Sequence, residues 1–252
     1  MAYTDKVWAV VAGIDGVTAH LAEQVAAKAL LTLLDPGSTD KTVNMANVPW
    51  AFSMLPADPV HAEAIGAALG GGGFVLLSAT DHDSRVLAEE LLLWLRRNRT
   101  TPLRHIEFDA GAQEAGVLAA QAGSDRVVVI AGPEASARMV RELRRVKAGA
   151  EIYGGPAMAR QSFLDLAGAA AEGVQFPLPM ADRAGFPDYA AASAYDAVRL
   201  LVASIRKAGL NRARIRDAVA ETSDTVRWDA LNRKSGTVMM GTIRDGRRVR
   251  VR

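Results

Sequence analysis

The sequence predicts an α/β fold in which largely parallel sheets are covered by helices on both faces. Short apolar runs suited to buried strands alternate with segments of helical periodicity, and Gly, Pro and Asp clusters punctuate nearly every junction. Half of the 252 residues are apolar and 23% are charged, a balance that supports a substantial core and argues against disorder.

Along the chain, Val7–Ala12 reads as a strand that ends in the turn Gly13-Ile14-Asp15-Gly16, and Thr18–Leu30 has helical spacing. Leu31–Leu34 is a second strand, broken by Asp35-Pro36-Gly37-Ser38-Thr39-Asp40, and Trp50–Leu55 is an extended segment closed by Pro56-Ala57-Asp58-Pro59. Helix His61–Leu69 stops at Gly70–Gly73 before strand Phe74–Ala79. Ser84–Asn98 is an amphipathic helix with a basic end, as suits a helix C-terminus. Arg104–Phe108, Val127–Ile130, Ile152–Gly154 and Val174–Leu178 are the remaining strands, interleaved with helices Ala112–Ala122, Ala135–Lys147 and Gln161–Ala170. The long helix Tyr189–Ala208, the shorter Arg212–Glu221 and a hairpin around Arg244-Asp245-Gly246-Arg247 complete the count. Pro/Gly-rich seams at Pro56–Pro59 and Ala181–Pro187 suit crossings between two lobes.

Composition excludes several function classes. Thirty Lys and Arg against 28 Asp and Glu leave a formal charge of +2, too weak a field to imply nucleic acid. The absence of cysteine removes disulfides, thiolate metal sites and thiol nucleophiles. No apolar run approaches the ~20 residues of a membrane span, and MAYTDKVWAVVAG lacks the pattern of a signal peptide. The basic tail Arg244, Arg247, Arg248, Arg250 and Arg252 alternates with Val249 and Val251, reading as the wet face of an edge strand. No P-loop or G-x-S-x-G is present and the four histidines fall in no motif spacing, so catalysis, cofactor and metal are not expected. Gly70–Gly73 precedes a strand rather than following one and reads as a helix stop.

Several segments, taken in order, resemble the type 1 periplasmic solute-binding proteins of the branched-chain amino acid class. VWAVVAGIDGVTAHLAEQVAAK is similar to that family's strand, small-residue turn and helix, although the turn there normally carries serines. LLDPGSTDKTVN resembles its ligand loop, and VPWAFSMLPAD its crossing into the second lobe. AEGV, SAYDAVRLLVASIRKAG and the closing hairpin come after these in the same order. The resemblance implies a two-lobed periplasmic-binding-protein type 1 fold with residues 1–56 and 184–225 in the first lobe and 57–183 and 226–252 in the second. The family's chain begins with a further strand, helix, strand and helix, so the first lobe is expected to be incomplete here. Either the chain is a fragment of a longer product, or another chain completes the lobe, or the first lobe is remodelled. An open strand edge is an aggregation hazard, so some form of completion, by self-association or a second chain, is expected.

The function implied is that of a protein that closes on a small polar solute, an amino acid, amide or related compound, and delivers it to an ABC permease. Its location would be periplasmic or extracellular. A ligand-sensing module of a signalling receptor is the alternative, with an α/β enzyme or a regulator's effector core behind it.

Ligands of open α/β sheets lie outside the carboxyl ends of the strands. That rule and the resemblance together nominate Asp15, Gly16 and Thr18, then Gly37, Ser38 and Thr39, in the first lobe. In the second lobe they nominate His82, Asp83, Gly132 and Pro133, with Glu172 as the carboxylate that the family turns towards the ligand's ammonium. Asp15 or Thr18 could equally cap the helix. An ionised Asp15 would repel a ligand carboxylate, where the family's serines hold one. Thr39 or Asp40 could cap the segment after the Asp-Pro-Gly turn. Tyr195 and Asp196 are expected to fasten the long helix.

Overall fold

The computed structural model describes residues 6–111, 114–221 and 226–251. The first residues of the expected helix 112–122, the N-terminal MAYTD and Arg252 lie outside the described residues. The chain opens with β1 (Ala9–Val11), α1 (Gly16–Ala29), β2 (Thr32–Asp35) and β3 (Ala51–Ser53). It continues through α2 (Asp58–Leu69), β4 (Val75–Ala79), α3 (His82–Arg97), β5 (Arg104–Phe108), α4 (Ala115–Ala122) and β6 (Arg126–Ile130). Next come α5 (Pro133–Val146), β7 (Glu151–Gly154), α6 (Gln161–Ala167), β8 (Gln175–Leu178), α7 (Tyr189–Ala208), α8 (Arg212–Ala220), β9 (Met239–Arg244) and β10 (Arg247–Arg250).

Two compact units divide the chain: Met1–Ala57 with Ala190–Thr237, and Asp58–Tyr189 with Val238–Arg252. In the first, β1, β2 and β3 form a parallel sheet in that order. Alternation along the strands feeds two cores. Val10, Leu33 and Ala51 pack with Ala22 and Ala26 of α1. Leu34, Phe52, Ala9 and Val11 pack with Ala197 and Leu201 of α7 and Ile215 and Val219 of α8 on the other face. Residues of β2 and β3 are all buried, whereas those of β1 are only half-buried. Among the described residues no strand pairs with the outer edge of β1.

Residues 226–237 belong to this unit, correcting their expected place in the second lobe. The Trp228 ring packs at a tilt against Phe52, 5.2 Å between centres, and its indole N–H donates to the Val219 carbonyl at 2.9 Å. Ser53 donates to the Asn232 carbonyl at 3.0 Å and accepts from Lys234 at 2.8 Å, so the segment runs along β3. Asn44 is the hub that sequence reading passed over. Its backbone N–H reaches Glu23 at 3.1 Å, while its buried amide donates to the Ala51 and Leu231 carbonyls at 3.1 and 2.9 Å.

In the second unit seven strands lie in the order β10-β9-β8-β7-β6-β4-β5. The strands β4 to β8 are parallel, and β9 and β10 close the edge antiparallel through the Asp245-Gly246 turn. Leu76, Val128 and Ile130 face Ile65 and Leu69 of α2 and Leu91 and Leu95 of α3. The alternate Val75, Leu77, Val127 and Val129 are equally buried, because α5 covers the opposite face.

Arg248 departs from the wet edge-strand reading of the basic tail. Its side chain is only 9% exposed; Nε meets both carboxylate oxygens of Asp182 at 3.0 Å. The guanidinium also donates to Gln161 Oε1 at 3.3 Å and to the Pro187 carbonyl. The connection between β8 and α7, expected to fall in the first lobe from residue 184, is thereby tied to the second unit as far as Tyr189.

Candidate functional site

In the first unit the strand ends present two loops. Asp15 has the extended backbone of an N-cap (φ −151°, ψ 172°), and its carboxylate accepts from the Thr18 N–H at 2.7 Å and the Thr18 hydroxyl at 2.6 Å. Thr18 Oγ1 in turn accepts from the backbone N–H of Ile14 at 3.1 Å. Asp15 and Thr18 therefore realise the capping alternative as a reciprocal box, with Gly16 buried as the first helical residue.

The loop after β2 is organised by Asp35. Its Oδ1 accepts from the N–H groups of both Gly37 and Ser38 at 3.1 Å. The Ser38 hydroxyl is buried and accepts from the Asp40 N–H at 3.1 Å. The backbone N–H groups of Gly37 and Ser38, two of the nominated loop residues, are thus turned inward onto Asp35. Gly37 is glycine because a Cβ there would stand 2.7 Å from the Ile14 Cα, so the two loops touch backbone to backbone. Thr39 is half-buried in the same loop. Behind it, His20 Nε2 lies 3.2 Å from Asp40 Oδ2 and 2.8 Å from Thr42 Oγ1.

In the second unit the parallel strands β4, β6, β7 and β8 bring four connections to one edge of the sheet. After β4, Asp81 caps α3 by accepting from the Ser84 N–H at 3.1 Å, which leaves His82 exposed and Asp83 half-buried in the first turn. After β6, Gly132 caps α5 without a side chain, Pro133 is the first helical residue, and a Cβ on Gly132 would meet nothing within 4 Å.

After β7, Arg160 projects from the start of α6. Its Nε pairs with Asp188 Oδ2 at 3.1 Å, the same oxygen that accepts the Gln161 N–H at 3.1 Å. The guanidinium carbon lies 5.7 Å from the centre of the Tyr189 ring. Burial pushes the Tyr189 hydroxyl up from its usual range; Arg160 opposes that shift, and the charges of Asp188 and Asp83 add to it. Burial works against the Arg160 cation too, but Tyr189 and Asp188 outweigh it and raise its pKa. Asp83, Arg160, Asp188 and Tyr189 thus form one polar constellation at the carboxyl edge. Sequence reading nominated Asp83 and not the other three. The available signal was position alone: Arg160 follows a strand by the same rule that picked out Gly132.

Glu172 lies elsewhere. It precedes β8, at the amino edge of the sheet, and its carboxylate accepts from the N–H groups of Asp245 and Gly246 at 3.1 and 3.5 Å. Arg144 fixes that corner by donating to the carbonyls of Ala148, Ala150 and Glu172 at 3.0, 2.6 and 3.0 Å. The Glu172 carboxylate, nominated as the ligand's partner on the way into β8, therefore caps the closing hairpin instead of standing with the strand-end loops.

No protein-family model matches the sequence, and no curated protein matches it; the likeness is one of fold. The structure superposes on the leucine-binding protein LivK of Thermotoga maritima with a TM-score of 0.88 at 17% identity, covering 99% of this chain and 80% of that one. The branched-chain amino acid transporter substrate-binding protein LivJ of Streptococcus pneumoniae, solved with isoleucine, gives 0.85 at 21% identity over 99% and 81%. A solute-binding protein of an ABC transporter from R. palustris, solved with benzoate, gives 0.84 at 16% identity over 99% and 78%. The fold is that of these binding proteins, with parallel sheets flanked by helices. These three are binding proteins rather than enzymes.

Proposed function

We propose that this protein is a solute-binding protein that closes on a small polar ligand, an amino acid, amide or related compound, for uptake through an ABC permease. The observation that carries the reading is the polar constellation of Asp83, Arg160, Asp188 and Tyr189, set at the strand ends of a fold shared with proteins solved with isoleucine and with benzoate. The side chains at that edge are paired with one another, which holds them in place before a ligand arrives. Periplasmic or extracellular location follows from the same reading. Among the described residues no helix is long and apolar enough to cross a membrane.

Thermal unfolding in the presence of amino acids, amides and small carboxylates tests it. A bound solute at 100-fold its Kd adds ~2.7 kcal/mol, a shift of roughly 5–10 °C for a chain of this size. No stabilisation across a broad panel would remove the reading.

The half-buried β1 supports a further part of it. Leu21 and Val25 of α1 and Val198 and Val202 of α7 are exposed on either side of that sheet. Another polypeptide segment, a second copy or a different chain, is inferred to cover them. Sedimentation analysis tests this; a monomer with no tendency to associate would speak against it.

A further inference from the structure

We propose that Arg160 is the group of the second unit that receives the solute, and that the solute is therefore recognised by a carboxylate. This rests on the solute-binding function proposed for the chain and specifies its chemistry.

Arg160 stands at the carboxyl edge of the sheet, between the β7 end and the chain entering α7. A guanidinium carries five N–H donors in a planar fork. Asp188 takes Nε, and the guanidinium carbon lies 5.7 Å from the centre of the Tyr189 ring. With 26% of the side chain exposed, the fork stays within reach of an external acceptor. Asp188 is only 10% exposed and also accepts the Gln161 N–H, so the partner that orients Arg160 is itself fixed by the backbone. Such an arrangement holds the fork in one direction before any ligand arrives. A planar carboxylate matches it bidentately, as an ammonium group or a neutral amide does not.

The position of Glu172 strengthens the case. The carboxylate that would have paired with an ammonium is spent on the Asp245 and Gly246 N–H groups at the other end of the sheet. Asp83 and Asp188 do carry negative charge at the edge, but both act on the Tyr189 hydroxyl, and Asp188 is neutralised by Arg160. Arg160 is the cation among these four residues.

Matched ligands separate the possibilities: 4-methylpentanoate, leucine and leucinamide, together with benzoate and benzamide, titrated by calorimetry against the wild-type protein, Arg160→Gln, Arg160→Lys and the paired variant Arg160→Gln/Asp188→Asn. The paired variant removes both charges at once, so it stays testable if Arg160→Gln alone is misfolded by the buried Asp188. The expected result is binding of one or more carboxylates, at least tenfold weaker binding of the corresponding amide, loss of at least tenfold in affinity in both Gln variants, and a smaller loss with Lys. Equal affinity for carboxylate and amide, or wild-type affinity in the folded Gln variants, would overturn the assignment of Arg160 while leaving the binding function standing. Absence of binding by all five compounds and by a broad panel would overturn both.

Discussion

Glu172 Oε1 accepts the backbone N–H of Asp245 at 3.1 Å, joining the start of β8 to the turn between β9 and β10. That contact gives the carboxylate a part in the scaffold, and we propose that it has none in binding the ligand. Glu172→Gln is expected to leave solute affinity within twofold of wild type and to lower stability by ~1 kcal/mol, the cost of weakening a charge-assisted hydrogen bond. Calorimetric titration and a urea midpoint measured on the same samples separate the two effects. A tenfold loss of affinity with unchanged stability would return Glu172 to the site.

Two glycines in the candidate loops should respond in opposite ways. Gly37→Ala places a methyl group 2.7 Å from the Ile14 Cα, a backbone atom that cannot turn aside, and is expected to cost ~1–3 kcal/mol. Gly132→Ala meets nothing within 4 Å at an ordinary φ of −60° and is expected to change stability by less than ~0.5 kcal/mol. Any loss of binding in the second variant would then report on the ligand rather than on the fold.

How much of the molecule was legible in the sequence depends on the range of the interactions. The alternation of apolar runs with helical periods located the strands and helices of both sheets, because burial of a strand or a helix face is written locally. The capping of α1 by Asp15 and Thr18 was also visible, since the two are neighbours along one turn. The Arg160–Asp188 pair spans 28 residues and the Arg248–Asp182 pair 66, and nothing in local composition marks either one. Glu172 was nominated from the A-E-G step, whereas the turn that its carboxylate caps lies 73 residues further along the chain.

Arg248 predicts where the second unit loses order first. Arg248→Ala removes the contacts to Asp182, Gln161 and Pro187 at once. Hydrogen exchange is expected to accelerate across residues 179–188 and to change little in β4 and β6, whose residues are buried in the sheet. Uniform acceleration, or none, would mean that the loop is held by something else.

Asp229 supplies a pH dependence with a definite sign. Burial acts to raise its carboxyl pKa, but hydrogen bonds from the Arg233 backbone and side chain and from the Leu231 N–H outweigh it and hold the value below the usual 3.8. A depressed folded pKa contributes stability that is present above the unfolded value of about 3.9 and is lost as pH falls through the folded value. Between pH 5 and pH 3, wild-type protein should therefore lose more stability than Asp229→Asn, read from urea midpoints. Parallel pH profiles for the two proteins would contradict the assignment.

Whether this chain binds a small solute is decided by native mass spectrometry of protein purified without exhaustive washing. A retained small molecule, released on denaturation and restoring the thermal shift when added back to stripped protein, is the predicted result. Protein that carries no small molecule, and whose unfolding temperature is unmoved by amino acids, amides and carboxylates alike, would contradict it.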